Sequence, residues 1–228
     1  MYGPQKPISY LITSGQTTVA TTSNSKDFRD ILQLITAAVA AKIDLIQVRE
    51  KALTTKILCE LATSAAEITR SSATKLLVND RADVAAAAGA NGVHLTTRSL
   101  PASVVRQAFG NDFLIGVSTH SLDEARAAYD ACADFAVLGP VFETPAKAQY
   151  GPPLGLERLK HVCGELKPFP ILAIGGVTED NFAGCLRAGA QGIAAIRMFE
   201  DQQRLSAIVA KIHENLRVGS ISGLKPRC

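Results

Sequence analysis

The stretch Pro170-Ile171-Leu172-Ala173-Ile174-Gly175-Gly176 ends a short apolar run in paired glycines. A helical pattern follows, closed by Ala188-Gly189-Ala190-Gln191-Gly192 and a second apolar run, Ile193 to Ile196. Strand, glycine turn, helix and buried strand together read as one βα repeat of a parallel sheet. Glycines at a strand end let the backbone approach a ligand closely and can aim amides at an anion. A tight βα turn uses the same residues, so the pair marks either a phosphate cup or a turn.

Working outward, six more apolar runs alternate with helical patterns. The eight candidate strands are Ile8–Thr13, Ile43–Val48, Lys75–Asn79, Gly92–Leu95, Phe113–Val117, Asp134–Leu138, Phe169–Ile174 and Gln191–Ile196. They read as continuous apolar runs, as strands buried on both faces do. Between the first two, Phe28, Ile31, Leu32, Ile35 and Val39 recur at helical spacing; Ile57, Leu58, Leu61, Ala65 and Ile68 do so in the next interval. Eight βα repeats in 228 residues predict an α/β fold, a single (β/α)8 barrel over residues 1–218 with a flexible tail at 219–228. An open doubly wound sheet is the alternative, and the lack of Gly-x-Gly-x-x-Gly after the first strand counts against it.

Composition narrows the function. Hydrophobic residues make up 47% and charged residues 20% of the chain, with apolar runs too short to cross a bilayer, so no membrane partner is expected. Met1 to Gln16 lacks the basic start and apolar stretch of a signal peptide, which predicts a cytoplasmic protein. A net charge of +3 without a long basic run argues against nucleic acid and for small anionic ligands. The five cysteines form no Cys-x-x-Cys pair and are expected to stay reduced.

In such a barrel the reacting groups stand at the C-terminal strand ends. Strand two ends in Gln47-Val48-Arg49-Glu50-Lys51, where alternation puts Gln47, Arg49 and Lys51 on one side as a clamp for phosphate or diphosphate. Strand three ends in Asn79-Asp80-Arg81. Asp80 is a candidate Mg²⁺ ligand, or equally the cap of a helix starting near Ala82. In strand four His94 lies between apolar neighbours, as a core histidine does. Ser118 and His120 follow strand five; Ser118 offers an anion donor or turn chemistry, and His120 an acid or base near neutral pH. The long connection over 139–154 after strand six is a candidate lid.

The series Gln47-Val48-Arg49-Glu50-Lys51, Val78-Asn79-Asp80-Arg81, Gly89-Ala90-Asn91-Gly92-Val93-His94-Leu95, Gly116-Val117-Ser118-Thr119-His120, Gly139-Pro140-Val141-Phe142, Thr144-Pro145-Ala146-Lys147 and Ala173-Ile174-Gly175-Gly176 resembles the thiamine phosphate synthase family, which includes related thiazole tautomerases. The resemblance runs from about Ile8 to Ile196. It implies a transferase that joins hydroxymethylpyrimidine diphosphate to thiazole phosphate, acting on small phosphorylated substrates, with a homodimer as a candidate assembly. It implies further that Gln47, Arg49, Lys51, Asn79 and Lys147 hold the pyrimidine diphosphate with Ser118 on its phosphates. Asp80 would bind Mg²⁺, and Thr144 and Gly176 would meet the thiazole phosphate. Arg49, Lys147 and His120 are the catalytic candidates.

Three positions depart from the family pattern. Ser99 stands where a second carboxylate is usual, which predicts a weakened Mg²⁺ site. Ala146 replaces a threonine before the lid lysine, and Arg197 stands where a serine is common, so Arg197 is a further candidate for phosphate. These departures keep a tautomerase using His120 as acid and base in view, and behind it a non-catalytic binder of thiamine precursors. The full set of Gln47, Arg49, Lys51, Asn79 and Asp80 favours the synthase.

Overall fold

The computed structural model describes residues 6–144 and 152–215. Eight parallel strands close into a barrel in sequence order, with β1 paired to β8. The strands are β1 Ile8–Ile12, β2 Leu45–Val48, β3 Lys75–Asn79, β4 Gly92–Leu95, β5 Leu114–Thr119, β6 Phe135–Leu138, β7 Ile171–Ala173 and β8 Gly192–Ala195. The helices that follow them are α1 Lys26–Ala40, α2 Thr55–Thr69, α3 Ala82–Ala87, α4 Ala102–Phe109, α5 Leu122–Asp130, α6 Gly155–Glu165, α7 Phe182–Arg187 and α8 Leu205–His213. A 3₁₀ turn, Arg197–Phe199, precedes α8. The expected single (β/α)8 barrel is therefore present. The proposed tail at 219–228 and Lys147 both lie outside the described residues.

Two hydrophobic clusters explain why the strands read as unbroken apolar runs. The outer one joins outward strand residues such as Ile46, Val78, Ile115 and Ile193 to the inner faces of the helices. Phe28 and Ile35 of α1 and Leu58, Leu61 and Ala65 of α2 enter it at the anticipated helical spacing. The inner one fills the barrel with Tyr10, Ile12, Leu45, Leu77, Phe135, Val137, Leu172 and Ala194. Burial of both faces, not alternation, is what a parallel barrel strand requires.

Strand β5 runs on to Thr119, two residues past the expected Val117. Ser118 pairs in register with Val137, and Thr119 with Leu138. Ser118 is thus a strand residue, not a turn residue. Neighbouring ladder bonds hold polar side chains in extended backbone that their composition alone does not reveal.

On the opposite, N-terminal face, Asp44 ties the last helix to the first strand. Its Oδ2 accepts from Ser9 N at 2.9 Å and Ser9 Oγ at 2.8 Å and lies 2.8 Å from His213 Nε2, while its Oδ1 accepts from Lys6 Nζ at 2.6 Å. At the same end of the barrel, before β6, Arg106 and Asp134 form a buried ion pair at 2.8 Å.

Cys59, Cys163 and Cys185 are free thiols, but Cys132 is disulfide-bonded, which corrects the expectation that all five cysteines stay reduced. Folding can bring together thiols far apart in sequence, and such a pair leaves no spacing signal.

Candidate active site

Strand β2 and the residues just after it carry polar groups from the barrel interior to the rim. Gln47 is buried, Arg49 half-buried and Lys51 exposed. Gln47 Nε2 donates to Tyr10 Oη at 2.9 Å, and the Arg49 amide donates to Thr13 Oγ1 at 2.8 Å. Glu50 turns away from this side and is only 3% exposed. It accepts from Gly15 N at 3.1 Å, Thr17 N at 3.3 Å and Thr17 Oγ1 at 2.8 Å, pinning the β1–α1 loop beside Arg49. Sequence patterning missed Glu50, because nothing local distinguishes a loop anchor from a surface carboxylate.

The ends of β3 and β4 bring Asp80 and Ser99, the two candidate metal positions, together. Asp80 has φ +64°, in the left-handed region that an aspartate enters at less cost than most side chains. Its amide donates to His94 O at 2.8 Å, which holds the turn. Ser99 Oγ donates to Asp80 Oδ1 and in turn accepts from the Thr96 amide at 2.7 Å. The alternative in which Asp80 caps α3 is not what forms. Arg81 is the N-cap residue, and its side chain makes no capping bond.

His94 is buried in the barrel centre. Its Nδ1 lies 3.1 Å from Tyr10 Oη and its Nε2 2.8 Å from Ser118 Oγ. The Tyr10, His94 and Phe135 rings pack with centroids 5.7 to 6.1 Å apart. Burial and the Arg49 guanidinium push the His94 imidazole down to about 3, so it is neutral at physiological pH. Burial pushes the Tyr10 phenol well above its ordinary range against the opposing bond from Gln47. His94 is therefore a core histidine that also touches a site candidate. Tyr10 escaped the sequence reading because its partners are remote in the chain.

His120 sits apart from this network on the exposed rim. Its Nδ1 lies 3.0 Å from Glu124 Oε2, which also accepts the His120 amide at 2.7 Å. Ser121 caps α5 through the Glu124 amide at 3.1 Å.

Across the mouth, the loop after β6 is fastened to the end of β7. The Val141 amide donates to Ile174 O at 2.8 Å and the Phe142 amide to Gly175 O at 2.9 Å. Gly175 and Gly176 have φ +91° and +66°. A Cβ on Gly175 would lie 2.5 Å from Pro140 Cα, and one on Gly176 2.5 Å from Glu143 O. The pair is required by this close loop packing, whatever ligand its amides meet. Arg197 Nη2 reaches Thr144 Oγ1 at 3.3 Å, so the departure at Arg197 stands beside a family position.

Among the described residues no cluster of three or more histidine, cysteine, aspartate or glutamate side chains could hold a metal ion by itself. None of their helices is long and apolar enough to cross a membrane.

Residues 17–199 match the family model described as Thiamine monophosphate synthase. The chain is 38% identical over 186 residues to the thiamine-phosphate synthase of Moorella thermoacetica, covering 82% of this chain and 88% of that one. It is 35% identical over 190 residues to the thiamine-phosphate synthase of a Roseiflexus species, covering 83% and 80%. The solved structure of thiamine phosphate pyrophosphorylase from Pyrococcus furiosus superposes with a TM-score of 0.74 at 29% identity, covering 91% of this chain and 98% of that one.

Proposed function

The chain belongs to the thiamine monophosphate synthase family, and on that premise we propose how its barrel mouth performs the transfer. It is an enzyme of thiamine biosynthesis, a transferase that forms thiamine phosphate from a hydroxymethylpyrimidine diphosphate and a thiazole phosphate and releases diphosphate. The observation that carries the assignment of the site is the series of polar groups at and just beyond the end of β2. An amide and two cations rise from core to rim beside the Asp80 carboxylate, the donor set a diphosphate needs.

In this reading Arg49, Lys51 and Lys147 neutralise the diphosphate, and Asn79 adds a neutral amide donor, while the bond from a diphosphate oxygen to the pyrimidine methylene breaks. Gln47 and Ser118 supply neutral donors. The electron pair leaves with the diphosphate, the aminopyrimidine delocalises the methylene cation, and the thiazole nitrogen then forms the new C–N bond. No protein nucleophile is required; positioning and charge stabilisation supply the rate. Thr144, the Gly176 backbone and Arg197 hold the thiazole phosphate on the other side of the mouth.

The residues present fit a magnesium ion that arrives with the substrate. Asp80 Oδ1 and Ser99 Oγ are hydrogen-bonded neighbours, giving hard oxygen ligands of which one is charged. Magnesium commonly takes one or two carboxylates and completes its shell with water and substrate phosphates. When bound it would supply charge neutralisation on the diphosphate, with Asp80 as its protein carboxylate.

Incubating the protein with both substrates and Mg²⁺ tests the proposal. Thiamine phosphate is the expected product. Isomerised thiazole alone would move the activity to the tautomerase branch, and binding without turnover would leave a precursor-binding protein.

A further inference from the structure

The hydrogen bonds beneath the site have a direction. Tyr10 Oη is buried and has two partners among the described residues, Gln47 Nε2 at 2.9 Å and His94 Nδ1 at 3.1 Å. An amide nitrogen can only donate, so of these two partners only Nδ1 can accept the phenol proton. That nitrogen must then carry a lone pair, which excludes the imidazolium and puts the ring's one proton on Nε2. In that tautomer Nε2–H is the donor to Ser118 Oγ, 2.8 Å away. The Ser118 hydroxyl receives one bond and retains its proton for an acceptor in the mouth.

We propose that Gln47, Tyr10 and His94 form a directional relay that fixes Ser118 as a hydrogen-bond donor to an oxygen of the diphosphate. With the opposite tautomer, Nε2 would take the serine proton and Ser118 would turn lone pairs toward the anion. The buried phenol proton would also lose its acceptor, an expensive arrangement in a dry interior. Tyr10 and His94 are positioning residues; they act on the ligand through Ser118. Gly116 makes the arrangement possible, since a Cβ there would lie 2.8 Å from His94 Nδ1 and 2.3 Å from Phe135 Cζ. The inference rests on the proposed role of Ser118 in holding diphosphate.

Titration of inorganic diphosphate at fixed Mg²⁺ concentration into the wild type, Tyr10→Phe, Ser118→Ala and the double variant tests it. Each single change is expected to weaken binding roughly tenfold or more, the scale of one bond to a charged group. Tyr10→Phe keeps the ring that packs on Phe135 and, in the Ser118→Ala background, is expected to change binding less than twofold. Independent, multiplying losses would overturn the relay while leaving the diphosphate site intact. No diphosphate binding by the wild type would overturn the site assignment and the relay with it. Nitrogen-15 spectra of the histidine-labelled wild type, with the His94 signals assigned through His94→Gln, read the tautomer without relying on a Tyr10 variant. A proton on Nε2 is expected, and a proton on Nδ1 would overturn the relay whatever the titrations show.

Discussion

Ser99 Oγ donates its proton to Oδ1 of Asp80, linking the loop after β4 to the end of β3. The hydroxyl occupies one carboxylate oxygen and brings no charge of its own. Replacing it by a carboxylate would put two negative groups side by side, which repel when empty and bind a divalent cation more tightly when filled.

Ser99→Asp is therefore expected to lower the Mg²⁺ concentration giving half-maximal rate by roughly tenfold, and to lower Tm in the absence of metal with recovery on adding it. The scale is that of one extra charged contact. Initial rates and thermal melts against Mg²⁺ measure both. An unchanged metal requirement in Ser99→Asp, or full turnover by Asp80→Ala in excess chelator, would remove Asp80 from the metal site.

Arg197 reaches Thr144 from the turn that follows β8. Arg197→Ser is expected to weaken thiazole phosphate binding roughly tenfold, within the range of a charge-assisted bond at a partly exposed site, and to leave inorganic diphosphate binding unchanged. Calorimetric titration separates the two ligands. Equal thiazole phosphate affinity in wild type and variant would make Arg197 a rim residue only.

His120 is engaged with Glu124 on α5 and stands outside the Gln47–Tyr10–His94–Ser118 network. For the transferase, His120→Asn is expected to cost less than tenfold in kcat/KM, whereas Arg49→Ala is expected to cost on the order of 10²-fold or more through lost charge stabilisation. Steady-state kinetics on both variants decide. A larger loss at His120 would mean that proton transfer limits the reaction.

Burial pushes the Asp44 carboxyl up, but bonds from His213, Lys6 and Ser9 outweigh it and hold the carboxyl at about 2, below its ordinary 3.8. The folded protein binds this proton less readily than the unfolded chain. The stabilisation is therefore complete above pH 3.8 and is lost as pH falls toward about 2. It amounts to about 2 kcal/mol, since each tenfold difference in proton affinity between folded and unfolded chain is worth roughly 1.4 kcal/mol. Asp44→Asn is expected to lose roughly that much near neutral pH and to flatten the acid limb, as measured by denaturant unfolding along a pH series. An acid limb identical to that of the wild type would place the acid sensitivity elsewhere.

The strands were legible because burial on two faces leaves a local mark, a short stretch dominated by apolar residues, as in Phe135 to Leu138. The end of β5 was not, since Ser118 and Thr119 are held extended by register with Val137 and Leu138 on another strand. Of the proposed clamp, alternation reaches only Gln47: β2 ends at Val48, and Arg49 and Lys51 follow in the connection to α2, where a strand period no longer applies. The contact of Tyr10 with His94 spans 84 positions and joins strands that are not neighbours in the barrel, so no window of sequence contains it. Glu50 illustrates the same limit. Its three donors belong to a loop 33 to 35 positions earlier.

Tyr10 and Phe135 are fully buried members of the barrel's inner cluster and also pack directly against His94 below the mouth. For a substrate bound at the proposed site, the depth available is thus set by the packing that keeps the cylinder closed. A variant carved to accept a larger ring from below would open a void in the barrel, with a penalty of several kcal/mol for a lost aromatic side chain. Room for new substrates has to be sought sideways, in the loops around the mouth, where a change in shape does not remove the plug.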